Sequence, residues 1–357
     1  MNTEKLLYGI GDIDDDFIAE ANARKRPRLK RLLAAAACVA VSAAVIFIPQ
    51  LSVKYPSDEA PKLTVNMEFD TMGFEAYMAY NISELANGNP WRESDFLSAF
   101  YVADELSAEE MANRAKETAR TMGLTIDSLY VSPTEEELRK ETEKTGEPPE
   151  STTPYRATAT CGNVEVRAES DGRVRVFFGE TVELPQGTAE EMTAYLLEQY
   201  AYLTRFEVPA LDVSSQYTYD GKLIYSYSAY EGADDKLLGY NFNRVNFSLN
   251  EQGRLWVIDL WKADLHNIGA YRTISAKEAR KLLLEKHYVT SVPYAVTDAK
   301  NIAGVELVYR TGSSDSRKVF MPYYRFLVEL PDMQRDNGLK TYGAYYVPAV
   351  KAEYLNN

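Results

Sequence analysis

The sequence predicts an α+β fold with one N-terminal transmembrane helix, followed by an extracytoplasmic domain of three repeated helix-plus-antiparallel-sheet units. A basic cluster at 24–31 precedes an uncharged apolar run at 32–49, which predicts the membrane span. Three segments then begin with the motif Ser/Thr-Ala-x-Glu, at Ser107, Thr188 and Ser275, with spacings of 81 and 87 residues. Alternating strand patterns follow each motif, and together these features indicate repeated units.

The N-terminal residues predict the topology. Residues 1–23 form a cytoplasmic tail, and 24–50 form a basic flank with the transmembrane helix. The apolar run has about 18 residues, which at about 1.5 Å each span roughly 27 Å, close to the hydrocarbon thickness of a bilayer. Positive charge on the tail side predicts a cytoplasmic N-terminus and an extracytoplasmic C-terminal domain. The expected location is therefore the cell membrane, crossed once, with the lipid bilayer as a partner.

Three alternatives to the transmembrane helix stay open. A cleavable signal peptide would use the small-x-small sequence at 41–43, although its basic region would be long. A lipoprotein signal would end at Cys38, although the chain stays apolar for several residues beyond it. A buried helix of a soluble domain needs polar residues on one face, and this run offers only Ser42.

The tail carries two short apolar groups, each suited to one face of a helix. These groups are Leu6, Leu7 and Ile10, and Phe17 with Ile18. A helix this short is stable only against a partner, so the tail predicts docking to a cytoplasmic or membrane regulatory protein. The alternative is a frayed tail that only orients the anchor. A polar, proline-containing stalk follows at 51–62.

The repeated motif is a capping box, in which the hydroxyl caps a helix and the glutamate three residues on bonds back. A turn glycine lies 65 residues after the cap in the first two units and 63 residues after it in the third: Gly172, Gly253 and Gly338. Residues 87–90 (NGNP) predict a loop. The predicted units cover 63–183 (including entry strands and an acidic insertion at 132–152), 184–266 and 267–357.

Charge and cysteine content limit the function classes. The chain has 39 basic and 53 acidic residues, a formal net charge of -14. This acidic balance argues against binding of nucleic acid or of an anionic surface. Of the two cysteines, Cys38 lies in the predicted span, which leaves Cys161 alone outside. No intramolecular disulfide is expected.

The sequence predicts no catalytic residue, no cofactor and no metal site. His266 and His287 lack the spacing of a metal motif, and the zinc-protease and serine-hydrolase motifs are absent. Cys161 shows no neighbouring base, which a thiol nucleophile needs. These observations argue against an enzyme, with a cryptic hydrolase kept as an alternative.

Tyrosine is the unusual residue type, with 26 in the chain and clusters at 217–230, 323–324 and 342–346. On strands, tyrosine usually packs half-buried with its hydroxyl in water. The alternative is an exposed aromatic face that binds a peptide, a glycan or the edge of a partner's sheet. For such a face the sequence points to Tyr225, Tyr227, Tyr324 and Tyr346.

Several segments carry a family likeness: 6–21 (LLYGIGDIDDDFIAEA), the basic flank 24–31, 72–80 (MGFEAYMAY), 89–91 (NPW), 305–310 (VELVYR), 321–330 (MPYYRFLVEL) and 342–350 (YGAYYVPAV). The chain thereby resembles a group of single-pass membrane proteins of gut Firmicutes, some of them named anti-sigma factors. Its repeated pattern is similar in architecture to PepSY-type and YycH/YycI-type modules, which implies regulation of envelope kinases or proteases. The His and Cys pair of a zinc-binding anti-sigma domain are absent from 1–31.

These observations favour a non-enzymatic, membrane-anchored sensor or regulatory protein, anti-sigma-like or kinase-regulating. Its extracytoplasmic domain would bind a ligand or partner, and the tail would transmit the state. The alternative is a tethered ligand-binding or protease-inhibitory domain without a signalling role.

Overall fold

The computed structural model describes residues 60–65, 67, 69, 73–102, 105–147, 153–233, 235–311 and 319–356, which all belong to the compact unit Lys54–Asn357. This part of the protein is mostly β-sheet, in two antiparallel sheets. The predicted α+β fold of three helix-plus-sheet units is therefore wrong. The physical reason is that strands from the predicted units pair with one another, so they share sheets instead of building one each.

Among the described residues, no helix is long and apolar enough to cross a membrane. The longest of them has 14 residues, which at about 1.5 Å each span roughly 21 Å, against about 30 Å for a bilayer core. This finding contradicts the predicted single-pass location in the cell membrane. The predicted segments 1–23 and 24–50 themselves lie outside the described residues.

The described strands, in chain order, are β1 Ala76–Ala79, β2 Phe96–Val102, β3 Ser128–Ser132, β4 Arg156–Cys161, β5 Val164–Glu169, β6 Val174–Val182, β7 Pro209–Tyr217, β8 Leu223–Glu231, β9 Asn243–Leu249, β10 Leu255–Lys262, β11 Leu265–Arg272, β12 Ile302–Thr311, β13 Val319–Glu329 and β14 Lys340–Pro348. The described helices are α1 Ala108–Thr121, α2 Glu135–Thr145, α3 Ala189–Gln199, α4 Ala201–Thr204, α5 Lys236–Phe242 and α6 Ala276–Leu284. Short 3-10 turns lie at Ile82–Leu85, Ala299–Asn301, Pro331–Met333 and Ala352–Tyr354.

One sheet has eight strands in the order β3-β4-β5-β6-β10-β9-β8-β7. It consists of two four-stranded meanders, β3 to β6 and β7 to β10, which join through antiparallel pairing of β6 with β10. An unpaired edge strand can pair with the strand of another chain, and the pairing of β6 with β10 removes one such edge from each meander. The predicted boundary at 183–184 lies between the meanders, and the division into units stays a prediction.

The eight-stranded sheet buries one face. Helices α1 and α3 pack on it, over small and branched residues such as Val166, Val176 and Ile258. The predicted alternation along β5 is confirmed, because Val164, Val166 and Ala168 are buried while the residues between them are partly exposed. Period-two patterning of this kind is typical of a sheet with one face toward solvent.

The three predicted capping boxes are confirmed. Each cap hydroxyl accepts a hydrogen bond from the N–H three residues on, and the glutamate there accepts one from the cap N–H. The pairs are Ser107 with Glu110, Thr188 with Glu191 and Ser275 with Glu278. A fourth box, Thr134 with Glu137, begins α2 inside the acidic insertion. A local motif therefore determines where each of these helices begins.

The six-stranded sheet has the order β1-β14-β13-β2-β11, in which β14 and β2 pair with different parts of β13, at 323–329 and at 319–320. Strand β12 also pairs with β13, along 320–328. Both of its faces are covered. Alternate residues of β13 enter two different cores: Tyr324 packs with Leu283 of α6 on one face, and Tyr323 packs with Tyr346 and Tyr271 on the other. Because neither face of this sheet is open to solvent, nearly every residue of β14 is buried.

Candidate functional site

The two sheets meet at residues 86–91, a segment we name the junction loop, where the sequence predicts a loop and the structure confirms one. The N–H of Gly88 donates to Asp212 Oδ1 on β7 at 2.8 Å, and the Tyr230 hydroxyl on β8 donates to the Gly88 carbonyl at 3.0 Å. A Cβ at position 88 would collide with the carbonyl oxygen of Leu211. Only glycine allows this approach of the loop to the eight-stranded sheet.

The same loop is bonded to the six-stranded sheet through its two asparagines. The side-chain amides of Asn87 and Asn89 donate to Glu306 Oε2 on β12, at 3.2 and 2.9 Å. The Asn89 amide also donates to the Leu307 carbonyl at 3.0 Å. The junction loop therefore holds a strand of each sheet through hydrogen bonds to a buried carboxylate, Asp212 on one side and Glu306 on the other.

A cavity of about 240 Å³ lies beside the junction loop, and we name it the junction cavity. Both sheets supply its walls. The eight-stranded sheet contributes Asp212, Ser214, Gln216, Ile224, Ser226 and Arg244. The six-stranded sheet contributes Tyr77, Glu306, Arg325 and Leu327. Tyr225, with 47% of its surface exposed, lies at the solvent side of the cavity.

Arg325 is the central cation of the six-stranded wall. Its Nε donates to Glu306 Oε1 at 2.7 Å, and its Nη1 donates to the Tyr77 hydroxyl oxygen at 3.1 Å. Burial favours the neutral guanidine, but the negative charge of Glu306 together with the hydroxyl groups of Tyr77, Tyr346 and Tyr240 holds the pKa of Arg325 above its ordinary value. Burial also raises the pKa of Tyr77 to about 12, so this hydroxyl keeps its proton and donates it to Glu75 Oε1 at 2.8 Å.

Arg244 is the corresponding cation of the eight-stranded wall. Its Nη2 donates to Asp212 Oδ2 at 2.9 Å and to Asn246 Oδ1 at 3.2 Å. The Arg244 guanidinium also lies over the Tyr240 ring, 5.3 Å from its centroid. The Nε–H of Arg244 is buried and has no partner among the described residues. An unpaired buried donor is unfavourable.

The charges that line the junction cavity are balanced and paired. Two carboxylates, Asp212 and Glu306, face two guanidinium groups, Arg244 and Arg325, and each carboxylate accepts from one arginine and from the junction loop. Among the cavity-lining side chains, those of Ser214 and Gln216 form no hydrogen bond with any residue that the structure describes. Chemically, the site offers uncommitted hydroxyl and amide groups around a neutral centre.

The structure distributes the four predicted aromatic residues over three environments. Tyr225 lines the junction cavity, and Tyr227 lies next to it, 6.1 Å between ring centroids, but packs against the core under the helices. Tyr324 and Tyr346 are buried, with 2% and 0% of their surfaces exposed. A partner cannot reach these last two in this structure, and an exposed aromatic face that binds a partner stays a prediction.

The remaining predicted residues are not part of this site. Leu6, Leu7, Ile10, Phe17 and Ile18 lie outside the described residues. His266 stacks on Tyr101 with ring centroids 4.8 Å apart, and Cys161 is buried, with burial and the charge of Asp127 raising the pKa of its thiol. In the described part of the chain, no group of three His, Cys, Asp or Glu side chains could hold a metal ion.

Sequence reasoning missed all four charged residues of the cavity. Arg325 and Glu306 had a visible signal, since each lies inside an apolar strand: MPYYRFLVEL at 321–330 and VELVYR at 305–310. A charge inside a fully buried strand needs a partner. Asp212 and Arg244 have no such signal, because their strands alternate and a charged residue there reads as solvent-facing.

The chain matches no protein-family model, and no curated protein matches it.

Proposed function

We propose that this protein is a non-enzymatic binding protein that takes a small ligand in the junction cavity and has a regulatory role through the contact between its two sheets. One observation carries the proposal: the walls of the cavity come from both sheets and from the loop that bonds them. A ligand that contacts both walls favours the arrangement in which the sheets meet, and it shifts any equilibrium between this arrangement and a looser one.

The size and composition of the cavity support binding. Small-molecule sites are concave and combine apolar walls with a few placed polar groups, at about 300 to 1,000 Å³ for drug-sized ligands. The junction cavity, at about 240 Å³, suits a smaller metabolite. Leu85, Leu327 and Ile224 supply apolar wall, while Ser214, Ser226 and Gln216 supply polar groups.

The hydrogen bonds that the two carboxylates accept support binding of a ligand without a chemical reaction. A hydrolase that uses two carboxyl groups needs one of them protonated as a general acid. Here Asp212 and Glu306 each accept hydrogen bonds from a guanidinium group and from an N–H donor. Both carboxylates are therefore engaged with hydrogen-bond donors of the protein itself.

Thermal denaturation of the full-length protein in the presence of neutral, acidic and basic metabolites tests the proposal. A ligand at ten times its dissociation constant adds about 1.4 kcal/mol to the free energy of unfolding and raises the Tm by a few degrees. We expect the shift to disappear in Ser226→Phe, which places a ring in the cavity from an exposed strand position. The matched control is Ser128→Phe, an exposed serine on β3 at the far edge of the same sheet.

Two outcomes would overturn binding in this cavity: no compound class raises the Tm, or the shift persists unchanged in Ser226→Phe. The regulatory part has its own test, amide hydrogen exchange with and without the ligand. We expect slower exchange at residues 86–91, because the Gly88 N–H is bonded across the junction. Protection confined to β7 and β8 would favour the alternative of a binding domain without a signalling role.

A further inference from the structure

We propose that the ligand of the junction cavity is a neutral, polyhydroxylated ring of the size of one monosaccharide unit, an inference that rests on the proposed function. The first argument is charge. Asp212 and Arg244 form one ion pair at 2.9 Å, and Glu306 and Arg325 form another, with Nε 2.7 Å from Oε1. A charged ligand would have to break one of these pairs or leave its own charge without a partner, which is unfavourable in either case.

The second argument is hydrogen-bonding capacity. A sugar hydroxyl both donates and accepts, and so do the side chains of Ser214, Gln216 and Ser226. The Ser214 and Gln216 side chains are uncommitted among the described residues. Planar guanidinium, carboxylate and amide groups can each bond two neighbouring hydroxyls at once. A ligand with one or two polar atoms would leave most of this capacity unused.

The third argument is shape. The cavity is small, at about 240 Å³, which favours a ligand of a single ring over a larger one. Tyr225 is one of the lining residues, with 47% of its surface exposed, and its ring lies 6.1 Å from that of Tyr227. The face of an aromatic ring carries partial negative charge and attracts the C–H groups of a sugar face. The exposed ring is therefore suited to stacking on a sugar.

Titration calorimetry of the full-length protein with matched sugars tests the inference. The neutral probes are glucose, galactose, N-acetylglucosamine and maltose; the charged probes are glucuronate and glucosamine. We expect at least one neutral sugar to bind, and its acidic or basic analogue to bind on the order of tenfold more weakly. Comparison of maltose with glucose separates recognition of a glycan end from recognition of a free sugar.

Variants locate the binding. Tyr225→Ala should weaken sugar binding about tenfold, and Gln216→Leu should weaken it by a similar factor without changing the side-chain size. Tyr130→Ala is the matched control, because Tyr130 is also an exposed strand tyrosine, at 38%, on the opposite edge of the same sheet. We expect that variant to bind like wild type.

The outcomes separate the two proposals. Tighter binding of an amino acid, a dicarboxylate or a charged sugar, abolished in Ser226→Phe, would overturn the sugar inference and leave the binding function standing. Equal sugar affinity in wild type, Tyr225→Ala and Gln216→Leu would also overturn it. Failure of every compound class to bind would overturn both.

Discussion

The two sheets differ in how many of their faces are buried. The eight-stranded sheet covers one face with helices and leaves charged side chains such as Glu165 and Arg167 on the other, where they pair with each other. The six-stranded sheet is covered on both faces, and its core is built from tyrosines. The five tyrosines that are fully buried there are Tyr271, Tyr323, Tyr324, Tyr345 and Tyr346.

The two sheets also differ in the hydrogen-bond partners of their polar side chains. On the open face of the eight-stranded sheet, water can satisfy a charge that lacks a partner. Inside the six-stranded sheet water is excluded, and Tyr324 donates to the Ile274 carbonyl at 2.9 Å and Tyr345 to the Tyr294 carbonyl at 2.7 Å. The hydroxyl of Tyr323 is an exception, because it is buried without a partner among the described residues. The ion pairs of the junction cavity follow the same rule, which makes them specific and expensive to break.

The largest expected difference is between two arginines. Arg325→Met removes the guanidinium from Glu306 and Tyr77 in a site where only 17% of the side chain is exposed. An uncompensated buried charge costs about 3–5 kcal/mol of the free energy of unfolding. Arg167→Met on the open sheet face removes a partly exposed pair with Glu165 and should cost about 1 kcal/mol or less. Chemical denaturation of both variants measures the difference.

Equal losses in the two arginine variants would contradict the contrast between the sheets. The double variant Glu306→Leu with Arg325→Met sharpens the result. Replacement of a buried pair by apolar residues often restores stability, so we expect it to recover part of the loss. Asn87 and Asn89 would then lack their acceptor, which limits the recovery.

The next effect concerns the contact between the sheets. In Gly88→Ala the added Cβ meets the backbone at Leu211 and Asp212, so the junction loop must move away from β7. We expect a loss of about 1–3 kcal/mol, together with weaker ligand binding. Gly304→Ala on β12 is the control, since its nearest neighbour, Ile82 Cγ1, would be 3.8 Å from the new Cβ. If Gly88→Ala and Gly304→Ala had the same denaturation midpoint, the proposed tight junction would be refuted.

The smallest effect is expected at a helix cap. Ser275→Ala should cost about 1 kcal/mol, because α6 packs on the six-stranded sheet and buries Ala279 and Leu283. Thr134→Ala removes the equivalent cap from α2, in which none of the side chains that the structure describes is buried, so its effect on global unfolding should be smaller. Urea denaturation distinguishes them. Similar losses would mean that α2 unfolds with the rest of the structure.

The capping box of α6 also predicts that the stability of the protein depends on pH. Hydrogen bonds from the backbone and side chain of Ser275 hold the pKa of Glu278 below its ordinary value. A lowered pKa contributes stability that is present above the unfolded value, about 4.3, and is lost as the pH falls through the folded value. The difference between wild type and Ser275→Ala should therefore shrink in acid. A difference that stays constant down to pH 3, about one unit below the unfolded value, would refute this role of Glu278.

The sequence alone was enough for the local features. The capping boxes at Ser107, Thr188 and Ser275, the NGNP loop and the alternation along β5 depend on contacts within a few residues, which a local pattern can report. Sheet membership was not accessible in this way. Pairing of β6 with β10 joins residues about 80 positions apart, as in Val176 with Ile258, and no local pattern distinguishes a shared sheet from two separate ones.

The candidate site was decided by tertiary structure. Asp212 and Arg244 come from different strands, Glu306 and Arg325 from two others, and they surround one cavity because the two sheets pack together with the junction loop bonded to both. The sequence determined which residues could carry charge and where helices and turns begin. Which charges are buried together, and which tyrosines are exposed, followed from the packing of one sheet against the other, because burial is a property of surfaces that meet across long stretches of chain.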